Sequence, residues 1–187
     1  MTWHFIFQVL AVILSFKYYH IIIDKKKSNK SKLSEKNKFY IFTSALTGAF
    51  IGSRLLDYFE HIDLWNQSNI MLMIIGSKTI VGALLGGLLL VEITKKFCKI
   101  NFSTGDDMTF PLILGIIIGR IGCHIYGLHD GTIGNMTNMP WGWDFGDGIY
   151  RHPTSLYEIL FLISLWALLK LISKKHNIQD GALFKLF

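Results

Sequence analysis

An all-α membrane bundle is what this sequence predicts, and three observations carry that prediction. Hydrophobic residues make up 51% of the 187 and charged ones only 17%, with a mean hydropathy of +0.38, too apolar for an ordinary soluble domain of this length. Runs of about 20 mostly apolar residues, the length that crosses a bilayer core as a helix, recur along the chain. Charge also alternates between successive connections as it does in polytopic membrane proteins.

The apolar runs cover residues 3–23, 39–56, 70–93, 110–128 and 156–172, so five spanning helices are expected in one integral-membrane domain over 1–187. The first run is not a signal peptide. It lacks a basic region before it and a small-residue cleavage site, and its lysines follow the apolar stretch. Seven lysines lie in DKKKSNKSKLSEKNK at 24–38, Lys95, Lys96 and Lys99 follow the third run, and Lys170, Lys174 and Lys175 follow the fifth. The alternate connections, 57–69 and 129–151, hold no lysine and one arginine. The positive-inside rule then places the N-terminus and the long 129–153 loop outside and the lysine-rich loops in the cytoplasm. A net charge of +6 so distributed orients the chain in a bilayer, and no nucleic-acid partner is expected.

Cys98 falls near the cytoplasmic end of the third run and Cys123 deep in the fourth, so topology argues against a disulfide between them. The cluster Cys123, His124, His129 and Asp130 matches no common metal-site spacing, and no metal is expected.

Sixteen lysines against three arginines suggest that arginine stands where lysine will not serve. At about 1.5 Å per helical residue, Arg120 lies about 15 Å past Phe110, near mid-membrane, and Arg54 about 22 Å past Phe39, toward the outer face. Arg151 precedes the fifth run. A central charge costs about 2.5 to 3.5 kcal/mol even on the lenient insertion scale, so Arg120 needs an anionic partner. Glu60, Asp63, Asp130, Asp144, Asp147 and the interfacial Asp57 are candidates, and a planar guanidinium also suits phosphate, in a membrane most simply a lipid headgroup. Snorkelling for Arg54 and a solvated loop position for Arg151 are the plainer alternatives.

Pairs of the form GxxxG, Gly48 with Gly52, Gly82 with Gly86 and Gly115 with Gly119, allow helix backbones to approach closely. Gly52 and Gly119 sit beside the arginines, so the expected product is a tight bundle with a cationic pocket open to the exterior, bringing Arg54 and Arg120 together. Lys78, about 12 Å into the third run, is a further intramembrane cation or a snorkelling one. Glu92 has Lys95 and Lys96 at helical spacing. In the external loop, RHPTSLYE at 151–158 reads as a helix start, with Pro153 in the first turn, Arg151 and His152 just outside, and Tyr157 and Glu158 one turn in. Trp141 and Trp143 either rest on the membrane interface or pack to close the loop over the bundle.

GSR at 52–54, GALLGG at 82–87, GRIG at 119–122 and RHPTSLYE at 151–158 together resemble, in order and topology, the bacterial prolipoprotein diacylglyceryl transferase family, from the second helix to the end of the chain. The resemblance implies a multi-pass inner-membrane enzyme. It would move diacylglyceryl from phosphatidylglycerol to the lipobox cysteine thiol of a prolipoprotein, releasing glycerol phosphate. It also implies that Arg120 holds phosphate beside Gly119, that Arg54 is a second substrate contact, and that His152, Tyr157 and Glu158 build the site, with no cofactor. Lys78 and Arg151 join these as candidate substrate contacts.

Three departures from the family pattern matter. Val81 stands where the family typically has the histidine of His-Gly-Gly, and valine cannot take a proton. Cys123 replaces the asparagine after Gly-Arg-x-Gly, and the neighbouring His124 is the candidate substitute base. The chain stops at QDGALFKLF, which resembles the start of a further helix, and seven residues after Asp180 cannot cross a bilayer; truncation is the expected reading, an interfacial tail the other. Three functions follow: a divergent diacylglyceryl transferase, a non-catalytic phospholipid-binding relative, or a small transporter, for which broken helices or an internal repeat are required and not found.

Overall fold

The computed structural model describes residues 2–25, 34–60, 62, 79–130, 132–175 and 181–187. Within them the order is α1 (Thr2–Lys25), α2 (Glu35–Glu60), α3 (Ile80–Phe97), α4 (Gly105–Tyr126), a 3-10 turn (Gly127–His129), β1 (Trp143–Asp144), β2 (Tyr150–Arg151), α5 (Thr154–Lys175) and α6 (Ala182–Leu186). Among the described residues four stretches are long and apolar enough to cross a membrane: Phe5–Ile23, Lys36–Glu60, Gly105–His129 and Thr154–Lys174. The third expected span appears as α3, an 18-residue helix that continues past Ile93 to Phe97; Asp63, residues 70–78 with Lys78, and Asp180 lie outside the described residues.

The chain divides into two compact units, 32–102 and 1–31 with 103–187. In the first, α2 and α3 run antiparallel with glycine against glycine. A Cβ on Gly52 would run into the Gly82 carbonyl, and one on Gly48 into the Gly86 carbonyl. Ala45 and Ala49 continue the same face, meeting Gly87 at 3.3 and 3.8 Å from its Cβ position. Near the far end of α3, Lys95 Nζ donates to Glu92 Oε1 at 2.8 Å, the pairing that the spacing predicts.

In the second unit α4 packs antiparallel on α1 and on α5. On the α1 side the close approaches are Gly115 to Ser15, whose Oγ lies 2.7 Å from the Cβ position, and Gly122 to Phe7, at 2.6 Å. Gly119 has no described heavy atom within 4 Å of that position. The GxxxG expectation is therefore corrected in α4: the small residues that touch α1 are seven apart, about two helical turns, and Gly119 lies off that stripe. Ile113, Leu162 and Leu169 form the buried centre, ringed by Phe110, Ile117, Leu165 and Trp166.

The start of α4 is also corrected. It begins at Gly105, five residues before Phe110, because Asp106 and Asp107 are buried and form its first turn, where acidic side chains favour the helix dipole. Asp106 also accepts hydrogen bonds from the backbone N–H groups of Gly181 (2.7 Å) and Phe184 (3.1 Å), fastening α6 to this end. Arg120 therefore lies about 22 Å along α4, in its second half and not at its centre.

Candidate functional site

Residue spacing on α4 dictates what can act together. Arg120 and His124 are four apart, one turn along the same face, while Gly119 and Cys123 begin the neighbouring rows. Facing that stripe is the first turn and a half of α5, whose Ser155 and Glu158 are three apart and likewise share a face. Because the helices run antiparallel, the pairs meet as two rungs. Arg120 Nε lies 2.5 Å from Glu158 Oε2, an ion-pair contact whose angle does not make a hydrogen bond. One turn further out, His124 Nδ1 and Ser155 Oγ are 3.0 Å apart.

Burial differs between the rungs. Arg120 is largely enclosed, at 15% side-chain exposure, while Glu158 is at 44%. Ser155 is 6% exposed. The His124 ring is also fixed edge-on against two aromatic rings, Trp143 with centroids 5.0 Å apart and Phe145 at 5.5 Å. These rings and the end of α4 wall a cleft of about 380 Å³, lined by His124, Tyr126, His129, Trp143, Asp144 and Phe145 among others. Trp143 thus takes the loop-closing role, while Trp141 is 56% exposed.

The loop that brings those rings over His124 is built by its acids. Asp144 Oδ1 accepts from the N–H groups of Gly146 (2.8 Å), Asp147 (3.1 Å) and Gly148 (3.0 Å). The turn so formed needs positive φ at Gly146 (104°) and Gly148 (75°), which glycine supplies without a Cβ penalty. Trp143 then pairs with Arg151 and Asp144 with Tyr150. Arg151 closes the hairpin with a fork on Asp147, Nη1 to Oδ1 at 2.8 Å and Nη2 to Oδ2 at 2.7 Å. That hydrogen bonding lowers the Asp147 pKa and raises that of Arg151.

The rest of RHPTSLYE ties the loop to α5. His152 Nδ1 and Tyr157 Oη are 3.0 Å apart, the His152 N–H donates to Asn135 O (3.0 Å), and Gly134 N–H donates to His152 O (3.2 Å). Pro153 sits one residue before the helix instead of in its first turn, since its carbonyl accepts from the Leu156 and Tyr157 N–H groups (2.9 and 3.2 Å). That is the cap position, where a missing N–H also costs nothing.

Arg54 belongs to the α2–α3 unit. Its guanidinium carbon lies 5.1 Å from the Phe50 ring centroid, and its Nε and Nη1 are buried without a hydrogen-bond partner among the described residues. Val81 is 60% exposed on α3. Among the described residues no group of three or more His, Cys, Asp or Glu side chains is placed to hold a metal.

Ser155 and Phe145 are the site neighbours that sequence reasoning missed, while Trp143 was named only as an interface or loop-closing residue and not against His124. For Ser155 a signal existed: it lies one helical turn before Glu158 inside the motif already singled out. Phe145 had none, because the hairpin that carries it is set by the Asp144 turn.

The model of a family described as prolipoprotein diacylglyceryl transferase matches residues 1–187. The chain is 32% identical over 168 aligned positions to the phosphatidylglycerol-prolipoprotein diacylglyceryl transferase of Wolbachia pipientis subsp. Culex pipiens (strain wPip), covering 85% of this chain and 60% of that protein. It is 30% identical over 199 aligned positions to the protein of the same description from Rickettsia rickettsii (strain Sheila Smith), covering 100% of this chain and 74% of the relative. The chain thus spans about three fifths of the length of the Wolbachia protein.

Proposed function

The chain belongs to the prolipoprotein diacylglyceryl transferase family, and on that premise we propose that it transfers diacylglyceryl from phosphatidylglycerol to the lipobox cysteine thiol of a prolipoprotein. It would do so in the bacterial inner membrane, with its N-terminus outside. In that reaction the thiol sulfur forms a bond to the glycerol carbon. The bond from that carbon to the phosphate oxygen breaks, and its electron pair leaves with glycerol phosphate. The thiol proton goes to a base and then to water.

One observation carries the reading: Arg120 and His124 stand one turn apart on α4, each held from α5, with His124 at the wall of the cleft under the hairpin. Arg120 supplies a guanidinium for the phosphate and for the charge that grows on it as the bond breaks. Glu158 lies against its Nε edge and the Cys123 thiol is a second neighbour, so a phosphate would share the guanidinium with them. His124 stands in for the absent family histidine as proton acceptor. Arg54 is a further phosphate contact. A buried donor without a partner costs about 1–3 kcal/mol, more when charged, and an anion would offset that. Lys78 and Gly119 complete the proposed substrate contacts, while Arg151, His152 and Tyr157 hold the loop.

A second reading, phospholipid binding without transfer, is favoured by Val81 alone. Complementation of a transferase-depleted bacterium, with mass spectrometry of a lipobox peptide, separates the two. A diacylglyceryl adduct on the cysteine is the expected result; phosphatidylglycerol binding with no adduct selects the second reading. Arg120→Ala should lower phosphatidylglycerol binding at least tenfold, and unchanged binding would make the Arg120–Glu158 contact purely structural.

A further inference from the structure

The polar group facing His124 is a serine hydroxyl, buried, three residues before Glu158 and on the same face of α5. A neutral imidazole carries its proton on one nitrogen and a lone pair on the other, and the partner of one nitrogen decides the role of its neighbour. For His124 to accept a proton from the cleft, Nδ1 must carry the ring proton and Nε2 the lone pair. We propose that Ser155 is the positioning residue that sets this state, its Oγ accepting a hydrogen bond from His124 Nδ1–H so that Nε2 is the proton-accepting atom. This rests on the reading of His124 as the base.

Three features make Ser155 suited to that task. Its backbone is fixed: the adjacent Thr154 Oγ1 donates to Thr132 O at 2.6 Å, and the Pro153 carbonyl caps the turn that contains it. The ring it addresses has little freedom, because Trp143 and Phe145 meet His124 edge-on at 62° and 69°. A hydroxyl also orients an imidazole without placing another charge beside the Arg120–Glu158 rung, where each added ion in an apolar setting is costly. The arrangement follows the logic of a base oriented by a third group, with a neutral orienter in place of a carboxylate.

The test uses the full chain in nanodiscs containing phosphatidylglycerol, labelled with 15N-histidine. The spectrum of wild type minus that of His124→Gln isolates the ring of interest at alkaline pH, where it is neutral. Nδ1–H is expected in wild type, a shift toward Nε2–H in Ser155→Ala, and restoration in Ser155→Thr. In parallel, transfer to a synthetic lipobox peptide should show kcat about tenfold lower for Ser155→Ala, the lower end of what orienting partners of a histidine contribute at metal sites. KM for phosphatidylglycerol should be unchanged and Ser155→Thr should recover kcat. A wild-type ring protonated at Nε2 overturns the proposal, as does equal loss in the Ala and Thr variants with no change of tautomer. If His124→Gln keeps full kcat, the base reading itself fails, while the 15N spectrum still decides what Ser155 does to the ring.

Discussion

The α2–α3 pair and the α4–α5 pair are both antiparallel, yet they are joined by opposite means. Between α2 and α3 the contact is backbone on backbone at Gly48, Gly52, Gly82 and Gly86, where a Cβ would run into a carbonyl of the facing helix. Between α4 and α5 the outer contact is side chain on side chain, an arginine to a glutamate and a histidine to a serine. The first seam has no room for an added atom. The constraint on the second is chemical: each polar group needs its partner.

The largest effect should come from adding bulk to the first seam. Gly86→Leu pushes a Cβ into the Gly48 carbonyl and to within 2.8 Å of the Gly52 Cα. Overpacking by single methylenes costs about 1–3 kcal/mol, and backbone atoms cannot turn aside as side chains do. A loss above about 3 kcal/mol is expected, seen as little folded protein in detergent by size-exclusion chromatography and thermal melting. Gly119→Ala is the control. With no described atom within 4 Å to meet it, it should leave folding unharmed or raise stability by up to about 1 kcal/mol through helix propensity. Equal melting curves for Gly86→Leu and wild type would erase the distinction between the seams.

This contrast also explains what the sequence could reveal. The glycine seam is local: Gly48 and Gly52, like Gly82 and Gly86, advertise a face by spacing alone, and the apolar runs and lysine-bearing loops supply span length and direction in the same way. The same spacing misleads in α4, where α1 meets Gly115 and Gly122 and Gly119 is open, because a pair of small residues does not say which neighbour will use them. The polar rungs join positions 31 and 38 apart in the chain (155 − 124 and 158 − 120). Arg120 announced the need for a partner, but the acids that the sequence offered for it, Glu60, Asp63, Asp130, Asp144, Asp147 and Asp57, do not include Glu158, which meets it. Ser155 announced itself only by its place one turn before Glu158, since a serine in a first turn is ordinary. The hairpin was unreadable for another reason: Asp144 and Asp147 look like surface charges until their oxygens are found on the turn's own N–H groups and on Arg151.

A smaller effect separates stability from binding in the second seam. Removing Glu158 alone leaves Arg120 charged and enclosed. Because Glu158 is 44% exposed and solvent screens the pair, Glu158→Gln should cost about 1 kcal/mol, at the top of the surface range and short of the deficit for a fully buried pair. Replacing both partners, Arg120→Met with Glu158→Leu, should restore melting to within about 1 kcal/mol of wild type, since apolar replacements of buried ion pairs are often neutral. Phosphatidylglycerol binding should remain lost. A double variant that still binds the lipid would remove Arg120 from the site and leave the rung a packing device.

The smallest effect is confined to the hairpin above the cleft. Hydrogen bonding from Arg151 holds the Asp147 pKa below the ordinary value of an aspartate, about 3.9. A carboxyl whose folded pKa is depressed binds fewer protons folded than unfolded, so its contribution is complete above about 3.9 and fades as pH falls through the lowered folded value. Protection of the 129–153 loop from an acid-stable protease should therefore be constant from neutral pH down to about 4 and decline below that. Asp147→Asn should show the reduced protection already at neutral pH and no further drop attributable to this pair. Arg151→Lys keeps the charge and loses the fork geometry, so it should lie between them. In all of these the α4–α5 rungs should persist, and cleavage confined to the loop would show that the hairpin can loosen without opening the helices beneath it. If acid releases the loop equally in wild type and Asp147→Asn, the Arg151 fork does not hold it, and the Asp144 turn alone sets the hairpin.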